Sequence, residues 1–373
     1  MIEKGKISAF QMAIIIVPVI FSTAILIVPA ITGKYAGRDM WISPIFGSLN
    51  GFLTTFIIYR LHKYYPNESI IQYCNHIIGP YLGKALGLVY LVFFLHASGN
   101  ICREYADFVI SSFLPKTPMI VVVGILVLVS AFAVKGGVEV LGRTAEVLVP
   151  LFLLPPILFF LLIRNLKTEN ILPLMENGIL PPILGAAVPQ AWFSQVFLIS
   201  MILPFLSDRE NGGKWGMVTI FFSMMAMVFT NIISIFLFGG SVSSYNYPVF
   251  TAFRYIGVGG FFEHLESLVI SNWVMGVFVK ISVFYYALVL GTAQWLHLSD
   301  YRHLVFPIGF LIMIFTFWTS PNVQELGKYF VTTAPFYLSS LMTYIPMILL
   351  FIMIIRGKWK NKQEIKMRRI DND

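Results

Sequence analysis

The sequence predicts an all-α integral membrane protein of about ten transmembrane helices, built as an inverted five-plus-five repeat with helices 1 and 6 interrupted. Three observations carry this. The 373 residues are 57% hydrophobic and only 12% charged, with a mean hydropathy of +0.79, whereas soluble domains run near 25% charged. Apolar runs long enough to cross a ~30 Å hydrocarbon layer recur along nearly the whole chain and leave no room for a sizeable soluble domain. Two of these runs, the first and the sixth, carry paired prolines around a small polar patch.

Apolar stretches set against turn and charge punctuation give spans at roughly 7–31, 41–62, 81–113, 118–134, 144–163, 181–206, 215–239, 265–296, 303–319 and 332–355. Together they form a single transmembrane domain over 1–373, with halves at about 7–163 and 181–355 and a basic tail at 356–373. Residues 10–31 of span 1 carry no charge, and at ~1.5 Å per residue they suffice for one crossing. Pro18 and Pro29 each remove a backbone donor there, and Ser22, Thr23 and Ala24 form the polar or small cluster between them. A plain anchor has no use for a weakened middle. A protein that holds a small solute at mid-depth does, because loosened backbone and short hydroxyls can coordinate it. The run after MIEKGK is too long for a signal-peptide core, so it reads as a retained first helix.

The loop at 31–40 holds Lys34, Arg38 and Asp39, and Trp41 follows as an interface anchor. Loop 63–80 contains SIIQYCNHII, whose apolar residues recur at three and four, as in an amphipathic helix lying on the membrane surface. Residues 164–180 form a polar connector. Residues 245–262 read as a surface helix over a cavity mouth, followed by a turn. Span 6 repeats the pattern of span 1, with Pro189 and Pro204 around Ala191, Ser194 and Gln195. Five spans per half is an odd number, so the second half must be inverted relative to the first, and interrupted helices at matching positions point to a transporter-type site.

Net charge is +8. Much of the surplus sits in the tail RGKWKNKQEIKMRR, at 356–369, where it reads as a cytoplasmic anchor on anionic lipid and not as a nucleic-acid surface. Lys and Arg are more frequent in the segments on that side, which places both termini in the cytoplasm. Cys74 and Cys102 fit no metal or redox spacing.

The ordered set ISAFQ (7–11), ILIVPA (25–30), RDMWIS (38–43), the third-span run 83–118, VEVLGRTAEVLVP (138–150), ILPLMENGILPP (171–182) and LESLVISNWVMGVFVKIS (265–282) resembles the B subunits of bacterial spore-germination nutrient receptors. These belong to the amino acid–polyamine–organocation transporter superfamily. The likeness spans essentially the full length. It implies an inverted-repeat bundle with spans 1 and 6 broken, and a role in sensing amino acids or sugars in the spore inner membrane. It also implies partnership with an A subunit and a C-subunit lipoprotein. Amino-acid transporters of the superfamily carry a glycine-rich break in span 1, and here Ser22-Thr23-Ala24 stands in its place.

Candidate chemistry lies inside the spans. His96, Asn100 and Glu104 follow at four-residue steps on one face of span 3, with Arg103 and Asp107 beside them. A charge at mid-membrane costs ~2.5–3.5 kcal/mol on insertion scales, so this face looks into the bundle or into water. Glu104 is a candidate acceptor for a cation, an amine or a proton; alternatively the three charges simply pair near the surface. Lys280 lies midway between Glu266 and His297, without another charge nearby on its helix, which makes it a site residue by default. It would serve as a fixed or protonatable cation in coupling, or else stitch two helices together. Ser282 and Tyr286 offer hydroxyls to the same cavity. Trp192, Phe193 and Ser194 at the sixth-span break offer walls for an aliphatic side chain, with core packing as the plain alternative for the two aromatics.

No HExxH, phosphate loop or nucleophile elbow is present, so no enzyme, cofactor or metal centre is expected. The leading reading is a germinant-receptor subunit that binds a small nutrient between spans 1, 3, 6 and 8. The alternatives are a proton-coupled amino-acid permease and a scaffold with a vestigial cavity.

Overall fold

The structure is a computed structural model that describes residues 2–254 and 265–356. The expected tail beyond 356 and the far end of the surface helix at 245–262 therefore involve residues outside those described. Among the described residues, nine helical runs are long and apolar enough to cross a membrane. The first, 56 residues long, folds as two helices. Ten crossings result.

Helix α1 (Ala9–Ala36) opens on a capping box, in which the Ser8 side chain accepts from the Gln11 amide and the Gln11 side chain accepts from the Ser8 amide. It stops at Gly37, whose φ of 53° suits a residue without Cβ. Helix α2 (Ser43–Tyr64) returns, and Ser69 with Gln72 caps α3 (Ile70–Ile78). Then come α4 (Pro80–Ser112), α5 (Met119–Gly136) and α6 (Val138–Phe152), the last extended by a 3₁₀ stretch at Pro155–Asn165.

The sixth span is broken as expected. It runs through α7 (Leu180–Gly185) and α8 (Ala187–Ser194), a 3₁₀ turn at Gln195–Leu198, the single turn α9 (Ile199–Ile202) and a second 3₁₀ turn at Leu203–Phe205. Helices α10 (Gly212–Phe238), α11 (Pro248–Arg254), α12 (Leu265–Trp295) and α13 (Val305–Thr319) follow. Next are α14 (Val323–Thr332) and α15 (Ala334–Arg356), which carries a π turn at Ser340–Tyr344.

Span 1 corrects an expectation. It is one continuous helix through Ser22, Thr23 and Ala24. Without glycine there is no residue that favours unwinding, and all three side chains fit a helix. The Ser22 hydroxyl bonds back to the Pro18 carbonyl at 2.6 Å. Pro18 and Pro29 each remove a single rung, leaving the carbonyls of Ile14 and Ile25 without their helical donors.

One other segment departs from expectation. The apolar residues of α3 (Ile70, Ile71, Tyr73, Cys74, Ile77) are buried against the bundle, chiefly on α4, and do not face lipid. The stretch between spans 9 and 10, which the expected spans leave unassigned, forms α14, capped by Asn322 accepting from the Glu325 amide at 2.9 Å.

Spans 1, 6 and 8 form the enclosed centre, while α5, α6 and α13 turn Phe132, Val147 and Phe310 outward where lipid would lie. Small residues let backbones approach at the crossings. A Cβ on Gly47 of α2 would come within 2.9 Å of the Gln190 amide of α8, and one on Gly99 of α4 within 3.0 Å of the Phe315 carbonyl carbon of α13.

Candidate functional site

The three enclosed spans meet at one hydroxyl. Thr23 of α1 accepts from Lys280 Nζ of α12 at 2.8 Å and from Trp192 Nε1 of α8 at 2.9 Å. One residue earlier, the Ser22 carbonyl accepts from Trp273 Nε1 at 2.7 Å. Trp273 precedes Lys280 by two helical turns, so both face α1. Lys280 is 1% exposed. A buried ammonium is tolerated where it has a hydrogen-bond partner and a nearby opposite charge. The charge is Glu104 of α4, which lies beside Thr23 and Lys280.

Glu104 is itself 4% exposed, and its Oε1 has no hydrogen-bond partner. It faces a cavity of about 540 Å³ on the side of the bundle opposite the amino-terminal segment. Lys34 of α1, Asp107 of α4, Tyr247 and Lys328 with Phe330 of α14 share the lining. Asp107 is neutralised by Arg103 one turn before it, Nε to Oδ2 at 2.9 Å, and Arg103 also donates to the Pro321 carbonyl at 3.3 Å. Burial, and behind it the carboxyls of Glu104 and Asp107, push the Tyr247 phenol above its ordinary value, so it stays a protonated donor beside them. The cavity thus has two carboxyls in its lining, that of Glu104 and that of Asp107 held by Arg103, together with two lysines. A molecule with a donor or cationic group at one end and an acceptor or anionic group at the other matches that polarity.

Among the residues expected from sequence, Ser22, Thr23, Trp192 and Lys280 converge on the junction, with Ala24 buried beside it, and Glu104 connects it to the cavity. Others lie elsewhere. His96 and Asn100 sit further along α4, with His96 packed edge-on against the rings of Tyr329 and Tyr337 at 5.8 and 5.5 Å. Phe193 packs on Gly51 of α2. The Ser194 hydroxyl bonds the Ala191 carbonyl at 2.7 Å and faces Met342. Ser282 is buried with its hydroxyl unpartnered. Tyr286 lies on the amino-terminal side, donating to Glu3 at 3.2 Å.

These departures share a cause: a span that is apolar on every face gives no sign of which way a residue turns. Of the residues that sequence reasoning passed over, Trp273 is marked by its seven-residue step from Lys280. Phe330 follows from the apolar spacing Val323, Leu326, Phe330 behind the Asn322 cap. Nothing in the chain marks Tyr247. Among the described residues, no group of three or more His, Cys, Asp or Glu side chains is placed to hold a metal ion.

An all-α membrane bundle whose sixth span breaks at mid-depth, with a buried lysine held at the first, is a transporter-type fold. Comparison with solved structures agrees. The chain superposes with a TM-score of 0.64 on Mhp1, a nucleobase-cation-symport-1 family transporter in a closed conformation with bromovinylhydantoin bound, covering 94% of this chain and 78% of that one at 13% identity. The inverted repeat is consistent with that fold. Residues 6–324 match the spore permease family, described as spore germination protein, and the chain belongs to this family. Spore germination protein KB of Bacillus subtilis (strain 168) is 28% identical over 98% of both chains. Spore germination protein XB of Bacillus anthracis is 28% identical over 74% of this chain and 78% of its own.

Proposed function

We propose that the protein is the membrane subunit of a spore germinant receptor. It binds a small nutrient, an amino acid or a sugar, in the cavity beside Glu104, and that binding triggers germination. One observation carries the reading: a buried carboxyl with a free oxygen faces a cavity of about 540 Å³ and stands beside the hydroxyl that joins spans 1, 6 and 8. A ligand that engages Glu104 changes the balance around Thr23 and Lys280. It shifts the bundle by its differential affinity for two arrangements of these spans. The bound state then passes to an A subunit and a C-subunit lipoprotein, in the spore inner membrane, with both termini cytoplasmic and the halves 7–163 and 181–355 as inverted repeats.

The test is calorimetry on the purified protein against panels of amino acids and sugars. One class should bind, and Glu104→Gln should weaken it at least tenfold while leaving the thermal transition in place. Unchanged affinity in the variant would remove the cavity from the mechanism.

A second reading is a proton-coupled amino-acid permease, favoured by the placement of two titratable groups, Glu104 and Lys280, on either side of Thr23. Proteoliposomes holding this chain alone would then accumulate labelled amino acid under an imposed pH gradient. A receptor subunit would bind without accumulation.

A further inference from the structure

Residues 2–8 form no helix and lie on the amino-terminal side of the bundle, and their two ends are held differently. At one end, Ile7 pairs with the end of the sixth span: its amide donates to the Phe205 carbonyl at 3.1 Å and its carbonyl accepts from Ser207 at 2.9 Å. The Ala9 amide adds a bond to Asp208 Oδ1 at 2.7 Å. At the other end a single carboxylate makes the attachment. Glu3 Oε1 accepts the Lys4 and Gly5 amides at 2.8 Å each. Its Oε2 accepts Tyr301 OH at 3.0 Å, Tyr286 OH at 3.2 Å and the Val138 amide at 3.2 Å.

These donors come from α12, from the turn before α13 and from the first residue of α6. One side chain that is 5% exposed therefore links the amino-terminal segment to α6, α12 and the turn before α13, at the end of the bundle where α1 itself packs on α6 and α12. The receptor is cut to the carboxylate. Gly137 has φ +86°, and a Cβ there would lie 2.7 Å from Glu3 Oε2 and 2.9 Å from Tyr301 OH. The cap of α1 does not need this arrangement, because Ser8 and Gln11 supply it.

Glu3 also lines a cavity of about 450 Å³ on this side, with Phe205, Gln72 and Gln294. Along α12, one turn from Tyr286, lies the buried Ser282, and next Lys280. We propose that Glu3 is a latch. Its carboxylate holds the amino-terminal side of the bundle shut between this cavity and the Ser282–Lys280 stretch of α12, and its release opens that path. A carboxylate with several donors holds firmly, and all three side-chain bonds from this segment to α6, α12 and the turn before α13 end on one oxygen, so they are lost together when that carboxylate leaves.

The latch does not depend on the ligand reading, and its test uses no ligand. Full-length protein in lipid nanodiscs would carry Cys74→Ala and Cys102→Ser, with one reporter, either Ser282→Cys or Ser234→Cys. Ser234 is equally buried, near the far end of α10. A membrane-impermeant maleimide measures the labelling rate at each. Adding Glu3→Gln should raise labelling at position 282 at least tenfold and leave position 234 unchanged. The pair Tyr286→Phe and Tyr301→Phe, which removes donors and keeps Glu3, should raise position 282 in the same direction. Where Glu3→Gln fails to fold, the tyrosine pair decides. Unchanged labelling at 282 in the variants that fold, or an equal rise at 282 and 234, would make Glu3 an ordinary structural contact and overturn the proposal.

Discussion

Replacing Thr23 by Val removes one hydroxyl and almost no volume, but it is not a neutral exchange. That hydroxyl accepts from the Lys280 ammonium at 2.8 Å and from the Trp192 indole at 2.9 Å, and all three residues are essentially shielded. Neither donor makes another hydrogen bond among the described residues. Orphaning a buried neutral donor costs about 1 kcal/mol and a charged one about 2. In a membrane the unfolded reference state also finds partners, which trims such costs. The expected loss is about 2–3 kcal/mol, roughly 100-fold in the unfolding equilibrium at the upper end. Reversible unfolding in bicelles, by steric trapping or graded denaturing detergent, reads this directly. Thr23→Ser keeps the acceptor oxygen and should stay within about 1 kcal/mol of the parent. If Thr23→Val matched the parent, or if Ser and Val were equally damaging, the hydroxyl would not be the joint between spans 1, 6 and 8.

Three further outcomes are expected. Arg103→Gln strands Asp107, whose partner it is at 2.9 Å with both side chains under 10% exposed; the cost is about 3–5 kcal/mol, and adding Asp107→Asn should recover most of it in the same unfolding assay. Gly83→Ala puts a Cβ 2.4 Å from the Cα of Asn75, so α3 and α4 must separate; a fall in Tm or loss of folded protein is expected, at about 3 kcal/mol. Burial pushes the Cys74 thiol up to about 12. Because a raised thiol pKa leaves less thiolate at a given pH, Cys74 should resist maleimide at pH 8 in the folded protein and react fully on denaturation, as mass spectrometry would record.

How much of this was readable in the chain varies by residue. Lys280 was marked by position alone, since a charge so far from either end of its span must find a partner inside the bundle. Its partner was not marked: Ser22, Thr23 and Ala24 read as a break and proved to be a continuous helix bearing an acceptor. The sixth-span break was legible because Pro189 and Pro204 remove rungs within a stretch that also carries Ser194 and Gln195. Tyr286 looked like a neighbour of Lys280 because it follows on the same helix. The six-residue step moves it about 9 Å along the axis, enough to reach a different layer and Glu3. His96, Asn100 and Glu104 share a face of α4, yet only Glu104 meets the cavity, because α14 and α15 cover the other two with Tyr329 and Tyr337.

By itself the sequence determined that the protein lives in a bilayer, roughly where each crossing begins and ends, and which polar groups could not be left facing lipid. Those follow from the solvent: hydrocarbon demands long apolar runs with satisfied backbone, and it penalises every buried charge in proportion to depth. Only the tertiary structure decided which of those groups meet, that Thr23 serves Lys280 and Trp192 together, and that Glu3 closes over Tyr286 and Tyr301. A helix apolar on all its faces carries no periodic signal of its rotation about its own axis, so the meeting of side chains is set by packing between helices and not by the order of residues within any one of them.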